Sequence, residues 1–193
     1  MEQHFQDKMP RQERSALEGQ IRECYGRVVY SHKTHEKCAD ILHSRLSLIK
    51  RWQIGLSAVT TAGFVGAMFG TGKIGAALGI TVSTALLALN SYTKNYDLGE
   101  EALKHKRAAI DLWAIRERYL SLLVDVVGSE KPIGELEMRR DELADALHAV
   151  YGGAPSTSIQ AYQKAQEALK KLEDMTFTDA EIDSFLPNSL KRA

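Results

Sequence analysis

Three residues near the start of the chain carry metal-binding groups at helical spacing. His32, His35 and Cys38 lie within one or two turns of one another if this segment is a helix. A structural zinc site needs four ligands, usually in paired clusters, and the sequence has no second cluster of cysteine and histidine. His35 also falls on an apolar seam, where a core or interface histidine is the simpler interpretation, and we expect His105 to pair with a carboxylate. We therefore predict no metal site and no cofactor.

Patterns that are typical of catalysis are missing from the sequence. It contains no nucleophile elbow, no HExxH motif and no carboxylate pair at a recognisable spacing. The segment Gly70-Thr71-Gly72-Lys73 is only superficially like a phosphate-binding loop, because its spacing is wrong and no strand precedes it. We predict no catalytic residues and expect that the protein is not an enzyme.

Basic residues in the second half of the chain are candidates for binding an anionic ligand such as a nucleotide. Glutamate and aspartate are interleaved among them, so a solvated helix face is the alternative interpretation. The candidate ligand-binding residues are Arg107, Arg116, Arg118, Arg139 and Arg140. Lys104 and Lys106 lie in the same region.

The charges of the chain are strongly segregated. Over 193 residues the basic and acidic side chains balance at 25 each, yet between Arg51 and Lys94 the only Asp, Glu, Lys or Arg is Lys73. Residues 52–70 and 74–92 are two apolar stretches, each about 28 Å long as a helix, close to the thickness of a bilayer core. Neither stretch has the polar stripe of a surface helix, which disfavours the alternative of a buried helix pair in a soluble protein. We predict two transmembrane helices.

The connection between the two apolar stretches determines their topology. The turn at residues 70–73 is so short that the two helices must be antiparallel neighbours. Lys50 and Arg51 precede the first stretch and Lys94 follows the second, against the single Lys73 at the turn. Because basic residues are enriched on the cytoplasmic side, we predict a transmembrane hairpin with both chain termini in the cytoplasm.

Small and hydroxyl-bearing residues are frequent in both apolar stretches. Small residues repeated every four positions let helices approach closely in lipid. They are Ala58, Ala62, Gly66 and Gly70 in the first stretch, and Gly75, Gly79 and Ser83 in the second. The hydroxyls would line a polar passage if several copies assembled, or they would hydrogen-bond to carbonyls of their own helix. These candidate pore-lining residues are Ser57, Thr60, Thr61, Thr81, Ser83 and Thr84.

The regions on either side of the apolar block are predicted to be helical. Residues 11–50 form one helix that runs into the membrane, with a seven-residue repeat at Ile21, Val28, His35, Leu42 and Ile49. A helix at 98–127 carries a first apolar seam at Ala108, Leu112, Ile115, Tyr119, Leu122 and Val126. Its second seam is Leu103, Ile110, Trp113, Leu120, Val124 and Val127. One seam should face the 11–50 helix, and the other should face either the C-terminal helices or another protomer.

Shorter helices complete the chain. Gly128 and Ser129 end the double-seam helix, and a helix follows from about 132 to 151. Another is expected at 157–174, capped by Ser156 or Thr157, and Thr178 with Glu181 forms a capping box for a last short helix. We predict an all-α fold with three parts: an N-terminal cytoplasmic helix at 1–51, a two-transmembrane hairpin at 52–93, and a C-terminal cytoplasmic helical bundle at 94–193.

Several local patterns, in their order along the chain, resemble the SLATT family of prokaryotic two-transmembrane effectors. They begin with the predicted hairpin and continue with Glu101–Ala108 leading to Leu112–Arg116. Tyr151 then precedes Ala154-Pro155, and the segment Phe177–Pro187 comes last. The family is named for its association with nucleotide-synthesising and nucleotide-sensing defence proteins.

This resemblance implies a function that the residue patterns alone do not give. It implies a pore or ion channel that depolarises the host inner membrane during phage infection and aborts the infection. Because one hairpin alone encloses no channel, we expect a homo-oligomer, and specifically a tetramer. The gating ligand would be a nucleotide or oligonucleotide made by a neighbouring nucleotidyltransferase. The alternative is a non-conducting two-transmembrane anchor or scaffold that recruits a soluble partner.

Overall fold

The computed structural model describes residues 8–128, 131–172 and 176–191, which form helices and connecting turns without a strand. The helices are α1 at Lys8–Gly66, α2 at Gly72–Asn95, α3 at Leu98–Gly128, α4 at Ile133–Gly153, α5 at Ile159–Lys170 and α6 at Asp179–Phe185, with a 3-10 turn at Asn188–Leu190. The all-α prediction is confirmed. Residues 1–7 of the predicted N-terminal segment, Ser129, and residues 173–174 of the predicted fourth helix lie outside the described part.

Helix α1 joins the predicted cytoplasmic helix and the first apolar stretch into one uninterrupted helix, as the sequence predicted. Pro10 falls in its first turn, where the missing N–H costs no intrahelical hydrogen bond. Ile21, Val28 and His35 of the seven-residue repeat are buried. The same helix therefore contributes to the core near its start and carries the apolar stretch near its end.

The hydrophobic core lies between the first part of α1, α3 and α4, and we call this part of the protein the folded body. All six residues of the first α3 seam are buried, and all of them except Ala108 belong to the core cluster that includes Leu17, Ile21 and Val28 of α1. From α4, Leu136 and Leu143 close the same core. The prediction that this seam faces the 11–50 helix is confirmed.

The apolar parts of α1 and α2 are exposed, not packed into this core. Both helices are long and apolar enough to cross a membrane, and little of their most apolar segments is buried within the chain. Ile54 is 71% exposed, Phe69 85% and Ile74 74%. The structure therefore does not have the arrangement expected of a soluble protein that buries these two helices.

Gly70 forms the break between the two apolar helices. Its φ of 119° lies in the left-handed region, which glycine adopts without strain and other residues rarely adopt. A short π-helical turn at Ala67–Thr71 leads through this break into α2. The turn predicted at residues 70–73 therefore depends on the glycine at its first position.

Close contacts between the two apolar helices form at glycines. A Cβ added at Gly63 would lie 3.5 Å from the carbonyl oxygen of Gly75 and 3.7 Å from the Cα of Gly79. Gly75 and Gly79 are buried as expected, whereas Ala58 and Ala62 are exposed, so the α1 ladder is not what faces α2. The sequence prediction missed Gly63 because it followed a four-residue spacing that does not include it. Further along, the Gln53 amide donates to the Asn90 side-chain oxygen at 2.8 Å.

Helix starts in the second half have defined caps. Asp97 Oδ1 accepts a hydrogen bond from the Glu100 backbone N–H at 2.9 Å, and so caps α3. Ser158 caps α5 by accepting from the Ala161 N–H, so the expected caps Ser156 and Thr157 are wrong by one or two residues. The predicted capping box of Thr178 and Glu181 is confirmed at the start of α6.

Candidate functional site

A cavity of about 500 Å³ lies between α1 and α3, beside the core. Most of its wall consists of two groups of side chains, one on α1 and one on α3. The packing of α1 against α3 therefore creates the site. The lining residues are His32, Lys33 and Glu36 of α1, then Lys106, Ala109, Ile110, Trp113 and Arg116 of α3, and Phe177 from the segment before α6.

Basic groups surround a single carboxylate of α1 in this cavity. The buried Lys33 places its Nζ 3.1 Å from Glu36 Oε2, and Lys106 Nζ lies 3.9 Å from Glu36 Oε1. On the opposite side, Arg116 Nε donates to Glu117 Oε1 at 2.9 Å. Among the described residues that line the cavity, three are cations and one is a carboxylate, so this part of the wall is basic.

His32 adds an unsatisfied polar atom to the cavity wall. The residue is buried, and its Nδ1 has no hydrogen-bond partner among the described residues. Burial lowers the pKa of His32, and the negative charge of Glu36 opposes this shift in part. A buried polar atom without a partner is costly, so it is a place where a bound molecule would contribute a hydrogen bond.

Trp113 and Phe177 give the cavity two aromatic walls. Aromatic faces stack on planar rings, whereas lysine and arginine bind phosphate or carboxylate oxygens. The combination fits a ligand that carries both an anionic group and an aromatic ring. Nucleotides have this composition, and a base stacked on an aromatic side chain is a common element of their recognition.

A buried histidine pair lies next to this cavity along α1. The Nδ1 atoms of His35 and His105 are 2.9 Å apart, so one ring must donate and the other must accept. Burial and the neighbouring His105 and His32 lower the pKa of His35 to about 4. His35 is thus a core histidine as predicted. His105 hydrogen-bonds to His35, and the nearby carboxylate of Glu101 acts on it by its charge, which opposes the lowering of the His105 pKa by burial.

The five predicted ligand-binding arginines do not come together. Arg116 alone lines the cavity, although neighbouring Lys106 joins it there. Arg118 and Arg139 line a separate cleft, where Arg139 Nη1 lies 3.1 Å from Asp125 Oδ2. Arg140 donates to Gln20 of α1 at 3.0 Å, and Arg107 is exposed on α3.

Of the nine residues that line the cavity, the sequence analysis named only Lys106 and Arg116 as candidates for binding a ligand. It placed Trp113 on an apolar seam and treated His32 only as a possible metal ligand. The sequence did contain a usable signal, since Glu36 lies one turn after His32 and Lys33, and Lys106, Trp113 and Arg116 lie one or two turns apart on α3. What it could not provide is the alignment of α1 with α3.

The six predicted pore-lining hydroxyls are divided between two helices. The four threonines each donate to the carbonyl four residues earlier in their own helix, at 2.8 to 3.0 Å. Ser57, Thr60 and Thr61 share one face of α1, but Thr81 and Ser83 lie on opposite sides of α2 because residues two apart differ by about 200°. A single passage would therefore not contain all six.

Together these features define an all-α protein with two candidate membrane-spanning helices and a helical body that contains a basic, aromatic cavity. The chain belongs to the SMODS and SLOG-associating 2TM effector domain family 4, whose model matches residues 17–181. The match covers both apolar helices and every residue of the cavity, and it confirms the resemblance stated from the sequence. No curated protein and no solved structure matches the chain.

Proposed function

We propose that the protein is a pore-forming effector of a prokaryotic anti-phage defence system. In this proposal several copies assemble in the cell inner membrane as an ion channel, with both termini of each chain in the cytoplasm and α1 and α2 crossing the bilayer as a hairpin. A nucleotide or oligonucleotide made by a neighbouring nucleotidyltransferase gates the channel. The family name supports this, since it describes two-transmembrane effector domains that associate with SMODS and SLOG proteins.

The observation that carries the proposal is the exposure of the two apolar helices at the end of a folded body. Exposed side chains such as Ile54, Phe69 and Ile74 are unfavourable in water and favourable in lipid. Because a single hairpin encloses no channel, conduction requires more than one copy. Exposed threonine and serine hydroxyls then supply polar groups that accept hydrogen bonds from hydrated ions.

Continuity of the helices supports the gating part of the proposal. The α1 side of the cavity, at residues 32–36, belongs to the same unbroken helix as the first apolar stretch. The α3 side of the cavity belongs to a helix that is separated from α2 only by Tyr96 and Asp97. A ligand that draws Lys33 and Lys106 together therefore changes the packing of two helices that both lead directly to the membrane.

A flux assay tests this function. The purified protein is placed in liposomes that contain an ion-sensitive dye, and cyclic dinucleotides, cyclic trinucleotides and linear oligonucleotides are added in turn. We expect ion flux to change with at least one of these ligands. Liposomes that stay tight under every condition would refute the pore, and flux that ignores every ligand would refute nucleotide gating.

Two lysines on α3 provide a matched pair of variants for the same assay. Lys106→Ala removes a cation from the cavity wall, whereas Lys104→Ala removes one whose Nζ lies 2.9 Å from Glu100 outside the cavity. Loss of one phosphate contact should weaken ligand response by about tenfold in Lys106→Ala. Equal responses from the two variants would show that the ligand does not bind at this cavity.

A further inference from the structure

The second α3 seam remains a long exposed apolar face in the folded chain. Its six residues, from Leu103 to Val127, are each between 44% and 70% exposed. Leu103, Ile110 and Val124 belong to one seven-residue register, and Trp113, Leu120 and Val127 belong to another. Two interleaved seven-residue registers are the pattern of a coiled-coil seam, here extending over about 36 Å.

The other helices of the chain pack elsewhere. Helix α4 packs against the opposite side of α3, through the core that contains Leu122 and Val126. Helix α5 packs against α1, and α6 contributes no buried residue. Of the described C-terminal residues, Phe177 approaches this seam as part of the cavity wall that it shares with Ile110 and Trp113, and both of those side chains remain at least half exposed. The described C-terminal helices therefore do not cover the seam.

Two charged residues occupy the remaining positions of the seam, and each has an opposite charge beside it. Lys106 Nζ lies 3.9 Å from Glu36 Oε1. Glu117 Oε1 lies 2.5 Å from Arg116 Nη2. Each of these two charges therefore has a counter-ion within its own chain, although Lys106 shares Glu36 with Lys33, whose Nζ lies closer at 3.1 Å. Repulsion between like residues of two copies is thus reduced.

The size of the face suits association between copies of the chain. Its six residues expose on the order of 600 Å², which is at the upper end of the roughly 300–600 Å² that the largest apolar patch of a monomer covers. A stable interface buries roughly 800 Å² on each partner, so the seam supplies most of what is required. The adjoining apolar helices extend the same contact into the membrane.

We propose that this seam binds the same seam of a second copy of the chain. The α3 helices of neighbouring copies lie parallel around an axis perpendicular to the membrane. The parallel orientation rests on the proposed function, because copies inserted in one bilayer with their folded bodies on the same side have α3 running in the same direction. Residues at the same position in two copies then face each other.

Ile110 and Trp113 belong both to this seam and to the wall of the cavity. Contact between two copies at the seam and binding of a ligand in the cavity therefore both involve these two side chains. A ligand that moves Trp113 changes its contact with the second copy, so binding and self-association are thermodynamically linked.

Cysteine cross-linking tests the proposed interface in native membranes. Val124→Cys places a thiol on the seam, and Asp111→Cys places one on the exposed, opposite part of α3. The unmodified chain measures the background, since Cys38 is buried and Cys24 is half-buried. Under mild oxidation, we expect a several-fold larger fraction of disulfide-linked dimer for Val124→Cys than for Asp111→Cys or the unmodified chain. Equal fractions, or a cross-link to a different protein only, would overturn the interface.

A charge substitution gives an independent measurement. Val124→Glu should lower the mass of the protein in detergent from an oligomer to a monomer, whereas Asp111→Lys should leave the mass unchanged. Unchanged mass in Val124→Glu, with retained helix content, would overturn the seam as an interface. Ion flux without cross-linking at Val124→Cys would overturn the seam interface and leave the proposed pore standing. Cross-linking without ion flux would overturn the pore and leave the interface standing.

Discussion

The His35–His105 pair is the most buried polar contact between α1 and α3. Both residues are 3% exposed, and the hydrogen bond between their Nδ1 atoms exists only while at least one ring is neutral. The charged groups near the pair are His32 on α1 and Glu101 on α3. A doubly protonated pair would place two positive charges in direct contact within the core.

This pair predicts that the folded body loses stability in mild acid. The pKa of His35 falls from an ordinary 6.5 to about 4 on folding, so the unfolded chain binds a proton in the interval between them that the folded chain does not. The stabilisation is therefore complete above pH 6.5 and is lost progressively as the pH falls towards 4. From pH 7 to pH 5 the free energy of unfolding should decrease by about 2 kcal/mol, measured by thermal unfolding in detergent.

The exposed His43 on α1 provides the control for this measurement. His43→Asn should keep the pH dependence, whereas His35→Asn should reduce it at the expense of stability at pH 7. A wild-type unfolding midpoint that is constant between pH 7 and pH 5 would contradict a buried neutral pair.

For individual residues, the sequence predicts burial better than it predicts which two residues are in contact. The seven-residue repeat placed His35 in the core because its position relative to Ile21 and Val28 is a property of one helix. Its partner depends on how α1 and α3 align, which no local pattern encodes. The same reason explains why the sequence did not single out Lys33 and Phe177, which line the cavity together with Arg116.

Among the helices, the contact at Gly63 makes a specific prediction about the two apolar segments. A Cβ at Gly63 would already be in van der Waals contact with Gly75 and Gly79, so the longer side chain of leucine would push the two helices apart, whereas a Cβ at Gly55 meets nothing within 4 Å. Gly63→Leu should therefore destabilise the protein by about 1–3 kcal/mol, and Gly55→Leu by less than about 0.5 kcal/mol. Thermal unfolding of the two variants in detergent tests this, and an equal effect would show that α1 and α2 do not pack at Gly63.

The turn between these helices makes a second prediction. Gly70→Ala forces a side chain into the left-handed region and should cost about 1–2 kcal/mol. Gly152→Ala in α4 meets nothing within 4 Å and should be neutral or stabilising by about 0.5–1 kcal/mol. Chemical unfolding of both variants would measure the difference, and an unaffected Gly70→Ala protein would contradict the conformation of this turn.

Helix existence was predictable along most of the chain, since it follows from apolar periodicity, the break at Gly128 and the capping box at Thr178. The faces of α1 and α2 that contact one another could not be predicted from the sequence. Alanine and glycine both look small in a sequence, but only the alignment of the two helices shows that Gly63, and not Ala58 or Ala62, lies in the contact.

For the molecule as a whole, the long α1 helix joins a folded body to an exposed apolar segment, and α2 leads back to that body through a short break. The cavity, the histidine pair and the first α3 seam all lie where α1 packs against α3. Any ligand or proton that acts at this packing interface therefore acts on helices that continue directly into the apolar segments.

The central claim is that lipid surrounds residues 52–92, and spin-label accessibility at Ile80 measures this most directly. A nitroxide at Ile80, which is 64% exposed, is compared in liposomes with one at the exposed Asp111 of α3. We predict that the Ile80 label collides more with lipid-soluble oxygen than with a water-soluble nickel complex, and that the Asp111 label does the opposite. An Ile80 label that is as accessible to the nickel complex as the Asp111 label would contradict membrane insertion and the channel that depends on it.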